Sequence, residues 1–289
     1  MNVNFCDSIL INLVKLNLRI YNIPKIIIFS LTFFSIIIYF IINRLNNFSF
    51  KYDFNINFWD GIFRVLNHSM LILGIYFLFI IMIIFLFNTN NKYGYIMMIR
   101  TNKKITLITS KIITNLIMSF IFTITFFICT FIISYIFFGF NYNWSVIILD
   151  SNSLRLVPEL YVNNFVYELT PIKASFISFF EIYLCTAIIM NLRDILINYI
   201  SKTYIANLIM IIYLFSNIIC SGYNLNKGIF ILSNYIGLDS MALIFRHKFK
   251  NFGYFNITIL QSLCISLLFL IIIICINIVL NRKLVLSHD

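Results

Sequence analysis

Residues 88–111 read NTNNKYGYIMMIRTNKKITLITSK. The stretch holds Lys92, Arg100, Lys103, Lys104 and Lys111 and no acid, and a long apolar run lies on each side of it. A short, purely basic connector between two apolar runs marks the cytoplasmic end of a pair of membrane helices. Its middle has further structure. Tyr93–Arg100 can form about two helical turns, with Ile96, Met97 and Ile99 apolar and with Lys92 and Arg100 at the ends. A polar break, Thr101 to Lys104, follows, and then ITLITSK leads into the next run. Topology alone does not require that apolar face. A short helix lying across a cytoplasmic loop reads as a docking element.

Outward from this loop, the whole chain is built of apolar runs. Its 289 residues are 61% hydrophobic and 11% charged, with a mean hydropathy of +0.96. A soluble domain must cover itself with polar surface and sits nearer half apolar, so the composition excludes a large soluble core and implies an integral membrane protein. Six runs can cross a bilayer of about 30 Å as helices of roughly 20 residues. They are residues 24–42, 70–87, 112–138, 171–192, 204–220 and 256–280. Period-2 alternation is absent, which excludes barrel strands. The expected fold is all-α: residues 1–23 form an amphipathic interfacial helix, and residues 24–289 form a six-helix transmembrane domain. In the first segment Ser8, Asn12, Lys15 and Arg19 fall on one helical face, with Ile9, Leu13, Leu16 and Ile20 on the other. Such a helix lies in the membrane interface. Its late apolar run and lack of a small-residue cleavage site do not fit a signal peptide.

With the N-terminus inside, twelve Lys and Arg fall in cytoplasmic segments and nine outside. Both termini and the loop around Arg100 are therefore expected in the cytoplasm. In this count Arg193 and Lys202 are cytoplasmic loop cations. The connectors 43–69 and 139–170 are aromatic-rich, as segments at a membrane boundary are. Residues 221–255 include GIFILSNYIGLDSMALIF, too broken to span and too apolar for a free loop. A re-entrant or interfacial segment is expected there.

No phosphate-binding loop, H-E-x-x-H, G-x-S-x-G or Rossmann glycine pattern occurs, so the chain is not expected to bind nucleotide or act as an enzyme by itself. An intramembrane enzyme needs paired groups, and the spans offer one glutamate with no His or Asp beside it. None of the six cysteines forms a C-x-x-C pair, and they read as small buried hydrophobes. His68, His247 and His288 are scattered, so no metal site is expected. The net charge of +11 is spread over loops, which suits anionic lipid headgroups and not nucleic acid.

Glu181 is the one acid inside a run, ten residues into the fourth and so about 15 Å along a helix. Ser175, Ser178, Glu181 and Cys185 share one stripe. The third run carries another: Asn115, Ser119, Thr123, Thr130 and Ser134. Two readings stand for these stripes. They line a cavity, with Glu181 responding to protons, or they make hydrogen bonds at helix–helix contacts. Asn207, Asn217, Gln261 and Asn277 are isolated and carry no reading singly.

The order Gly94, Ile96–Ile99, Arg100–Lys104 and Lys111, after a second span, resembles the coupling helix of the permease subunits of ATP-binding-cassette exporters, the type-2 permease family. The amphipathic start, the six spans and the broken segment before the last span are similar to that family along the whole chain. Lys92 stands near the family's usual Glu, and Asn102 near its usual Pro. Size and the long first outer loop are most similar to bacterial permeases for antimicrobial-peptide export and immunity. The resemblance implies a permease subunit in a bacterial plasma membrane, paired with a second permease subunit, identical or different. ATP and Mg would be held by separate ATPase subunits, and the cargo would be a peptide antibiotic or lipid-like compound. Lys92, Tyr93, Gly94, Ile96, Met97, Met98, Arg100, Lys103 and Lys104 would form the ATPase-coupling helix. The alternative is a membrane subunit without transport, an assembly, anchoring or sensor protein.

Overall fold

A computed structural model describes residues 3–53, 55–87, 104–149, 165–200, 202–222, 238–244, 247 and 257–286. The described residues are helical, with no strand among them. In chain order the helices are α1 (Val3–Ile20), α2 (Ile23–Tyr52) and α3 (Phe58–Leu66). A π-helix, Met70–Tyr76, then runs directly into α4 (Phe77–Phe87). Next come α5 (Lys104–Phe138), the single turns α6 (Val146–Leu149) and α7 (Phe165–Glu168), and α8 (Pro171–Ile200). The chain ends with α9 (Thr203–Gly222), the short α10 (Leu238–Ala242) and α11 (Ile259–Leu286).

Four helices are long and apolar enough to cross a membrane: α2, α5, α8 and α11. The pair of α3 and the π-helix with α4, bent by 59°, makes a fifth crossing if taken as one span. Helix α9 is apolar but shorter. The chain is a helical membrane protein at this level.

Helix ends follow local chemistry. Pro24 sits in the first turn of α2, where its missing N–H removes no helix bond. Asn57 starts α3: its side chain accepts from the Trp59 and Asp60 amides, and the Asp60 carboxylate accepts from the Asn57 amide. Thr258 and Gln261 cap α11 in the same reciprocal way. Gly139, at φ 64°, ends α5 in the left-handed conformation that glycine takes without penalty.

Several helices run past the expected spans. The hydropathy reading ends the first and fourth runs just before Arg44 and Arg193, but nothing there breaks a helix. Residues 193–200 contain neither Gly nor Pro, so α8 continues to Ile200, and Arg193 lies inside a helix with 1% exposure. Its assignment as a loop cation is therefore corrected. Likewise α2 runs through Arg44 to Tyr52, so much of the expected connector 43–69 is helix.

Helix α8 is central. It packs against α5, α11, α9 and α10. Helix α1 lies against α5, with Leu13 buried and Asn12, Lys15 and Arg19 exposed, and Asn17 donates to Ser110 near the start of α5. The end of α8 meets α11 through Asn198 and Asn277. The start of α5, the ends of α8 and α11, and α1 thus share one end of the bundle, the basal end.

At the opposite end the aromatic connectors pack on one another. Phe58 touches Trp59, Phe131 and Phe140, while Phe63 touches Trp144 and Phe165. Their polar handles are satisfied: Trp59 Nε1 donates to the Asn141 carbonyl at 2.6 Å and Trp144 Nε1 to that of Leu169 at 2.8 Å. Ser145 donates to Asp60 at 3.0 Å, and Asn57 to the Asn143 carbonyl at 2.8 Å. Gly61 allows the close approach of α3 to α5, since a Cβ there would stand 3.0 Å from Ser134 Oγ and from the Phe138 ring.

Candidate functional site

The residues expected to form the coupling helix, Lys92, Tyr93, Gly94, Ile96, Met97, Met98, Arg100 and Lys103, lie outside the described residues, and Lys104 is the first residue of α5. The polar residues of α8 form three layers along the helix, and the site is built on them.

The outermost layer is Glu181. Its Oε1 lies 2.5 Å from Nε2 of His247, with both side chains essentially inaccessible. His247 arrives from the segment that follows α10. Leu238, Met241 and Ala242 of α10 and Leu243 and Ile244 after it are all buried, and α10 packs against α8, α9, α11 and the π-helix. The described part of the broken piece between α9 and α11, residues 238–244 with His247, is thus inside the bundle. Its apolar side chains fill space there, and His247 brings a ring nitrogen to the glutamate. The premise that Glu181 has no embedded partner is corrected: the partner is 66 positions away in sequence. Ser178, one turn before Glu181, is buried without a hydrogen-bond partner, as is Glu181 Oε2. Ser175 instead donates to the Pro171 carbonyl of its own helix.

The middle layer is Thr186. Tyr76, the last residue of the π-helix, places its hydroxyl 3.2 Å from both Thr186 and Thr123 of α5. This one phenol links three elements, and the two threonines also donate to their own helices, at Ser119 and Ile182. Ser119 donates to the Asn115 carbonyl and lies 3.1 Å from the Met190 sulfur.

The basal layer holds the charges. Arg193 Nε donates to Asn207 Oδ1 of α9 at 2.7 Å, and its Nη1 lies 3.8 Å from Asp194. Asn115 donates to Asp194 at 2.8 Å and faces Asn191 at 3.4 Å. A guanidinium withdrawn from water needs this much compensation, because an unpaired buried charge is strongly destabilising. Tyr21, between α1 and α2, is drawn in as well: burial pushes its phenol above the usual tyrosine range, and the Asp194 carboxylate adds to the effect.

The two expected stripes therefore do different work. Asn115, Ser119 and Thr123 face α8 at its middle and basal layers, as hydrogen-bonded helix contacts. Ser175, Ser178 and Glu181 lie in the outer part of α8, where the inserted segment meets Glu181. The isolated amides acquire partners too. Asn207 holds Arg193, Gln261 caps α11, Asn277 meets Asn198, and Asn217 Oδ1 accepts from the Leu238 amide at the start of α10. Sequence reasoning missed His247, Arg193, Asp194 and Tyr76. For Arg193 the signal was present: an Arg followed by an Asp, with no helix breaker before Ile200.

Chemically, the outer pair can hold a proton, while the basal layer is an electrostatic tie among α5, α8 and α9 that leaves Arg193 Nη1 and Asn207 Nδ2 without a hydrogen bond. Among the described residues no three His, Cys, Asp or Glu gather as a metal site. Comparison of the chain with family models, with curated proteins and with solved structures gives no match.

Proposed function

We propose that this chain is the permease subunit of an ATP-binding-cassette exporter in a bacterial plasma membrane. It works with a second permease subunit, identical or different, and with separate ATPase subunits that bind ATP and Mg. The cargo class is a peptide antibiotic or lipid-like compound. On this reading α2, the bent pair, α5, α8, α9 and α11 are six crossings, α1 lies in the cytoplasmic interface, and both termini are cytoplasmic. The observation that supports it most is the common end shared by α1, the start of α5 and the ends of α8 and α11. An even number of crossings requires that arrangement, and on this reading the connector before α5 is cytoplasmic. The loop then meets the ATPase, and its motion passes to the spans through α5.

The test is affinity purification of the full chain from its native membrane, followed by transport in vesicles. The expected outcome is a stoichiometric ATP-binding-cassette ATPase and ATP-dependent efflux. Met97→Asp with Arg100→Asp should abolish ATPase stimulation and efflux while leaving the chain folded in the membrane. Purification with no ATPase partner would favour the assembly, anchoring or sensor reading instead. Normal efflux and ATPase stimulation in the double variant would remove the docking role from this loop.

A further inference from the structure

The inserted segment is fastened at two points of different chemistry. At its start the Leu238 amide donates to Asn217 of α9 at 3.0 Å, a neutral bond that no pH in the ordinary range alters. At its end His247 meets Glu181 of α8. Between them Leu238, Met241, Ala242, Leu243 and Ile244 are buried at 1% exposure or less, so the segment stays in only while both ends are compatible with an apolar interior.

The second fastening has a charge condition. With one proton between the two side chains, the pair is either imidazolium beside carboxylate or imidazole beside carboxylic acid, and both forms are neutral overall. Removing that proton leaves a buried carboxylate facing a neutral ring. Adding another leaves a buried imidazolium facing a neutral acid. Neither net charge has a second compensating group nearby among the described residues. The other charged residues of α8 are Lys173, eight positions before Glu181, and Arg193 and Asp194, twelve and thirteen after it, so roughly 12 Å or more along the axis. Lys104 and Lys111 of α5 and Arg282 and Lys283 of α11 belong to the basal end, and Asp239 is the second residue of α10, eight positions before His247. Helices α4, α9 and the π-helix hold no Asp, Glu, Lys or Arg. Tyr76, Tyr183, Cys185, Tyr213 and Cys264, on the elements packed around the pair, are ordinarily uncharged. Arg246 and Lys248, the chain neighbours of His247, lie outside the described residues.

We propose that Glu181 and His247 form a buried site for one proton, and that this proton clamps the inserted segment, residues 238–244 with His247, to α8. The site makes insertion of the segment proton-dependent in both directions. It loosens when the shared proton is lost and again when a second is gained, while the Asn217 fastening stays constant. The inference stands on the pair itself and is independent of whether the chain exports.

The test is hydrogen–deuterium exchange of the full chain in lipid nanodiscs, from about pH 4 to about pH 10, corrected for the intrinsic exchange rate. The wild type should show greatest protection of residues 238–247 at an intermediate pH, with protection falling about tenfold toward each extreme. Glu181→Gln, which keeps an acceptor but cannot ionise, should lose the alkaline fall and keep the acid one. His247→Asn should lose the acid fall and keep the alkaline one. The double variant, a neutral amide pair, should be flat. A flat wild-type profile, or a double variant that keeps both falls, would overturn the proposal. If either single variant fails to give folded protein, the wild type and the double variant alone decide it.

Discussion

Helices α8 and α11 have nearly equal length, 30 and 28 residues, and pack against each other, yet they are built to opposite plans. The apolar window of α8 is 61% buried and that of α11 22% buried, although α11 is the more apolar of the two. The polar residues of α11 explain the inversion. Ser262, Ser266 and Asn277 fall on its buried stripe with Leu270 and Ile273, while Leu260, Leu267, Leu268, Ile271, Ile272 and Ile276 are exposed. In water the apolar face turns inward. In lipid the apolar face can remain outside, and small or polar residues mark the helix contact. Of these two helices the one at the centre of the bundle is therefore the more polar, and hydropathy alone ranks the pair in the wrong order for burial.

Three substitutions press on this contrast. The largest effect is expected from Arg193→Ala in α8, which removes the cation that Asp194 and Asn207 compensate. A loss of about 3–5 kcal/mol is expected, read as a collapse in folded yield and a lowered unfolding midpoint in mixed micelles. A near-neutral result would show that the basal layer is not a structural tie. Tyr76→Phe is intermediate. It removes the hydroxyl shared by Thr123 and Thr186, but both threonines keep bonds to their own helices, so about 1 kcal/mol is expected in the same unfolding measurement. Leu268→Ala on the outer face of α11, where the side chain is 60% exposed, should change stability by about 0.5 kcal/mol or less. A loss several times larger would mean that protein, not lipid, covers that face.

The all-helical class and the approximate places of the apolar runs were readable from periodicity and run length. So was the prominence of Glu181, because an acid in an apolar run is conspicuous by itself. His247 was not readable, since a lone histidine in a broken stretch carries no mark of a partner 66 positions earlier. Arg193 was misread because the fourth run was closed where the polar residues from Asn191 onward begin, whereas a helix stops at a lost hydrogen bond or a breaker. The nine-residue α3 lay hidden in a connector although Asn57 and Asp60 stand at capping-box spacing. The polar stripe of α5 was visible, but its facing partners Thr186, Asn191 and Asp194 could be named only after α8 was placed. Polar stripes reveal which face is buried, and pairing between them is a three-dimensional fact.

The aromatic end of the bundle also has a consequence for how the chain is made. Asn57, Trp59 and Asp60 bond to residues 82 to 86 positions later. At about 5–20 residues per second, those partners leave the ribosome roughly 4–17 s after α3 does. During that interval α3 has its own capping box but none of its long-range polar contacts, and its aromatic face has no neighbour from the later connector. The end cap therefore closes only after α5 is made, about midway through synthesis of the 289 residues, and the timing of membrane insertion becomes part of what this fold depends on.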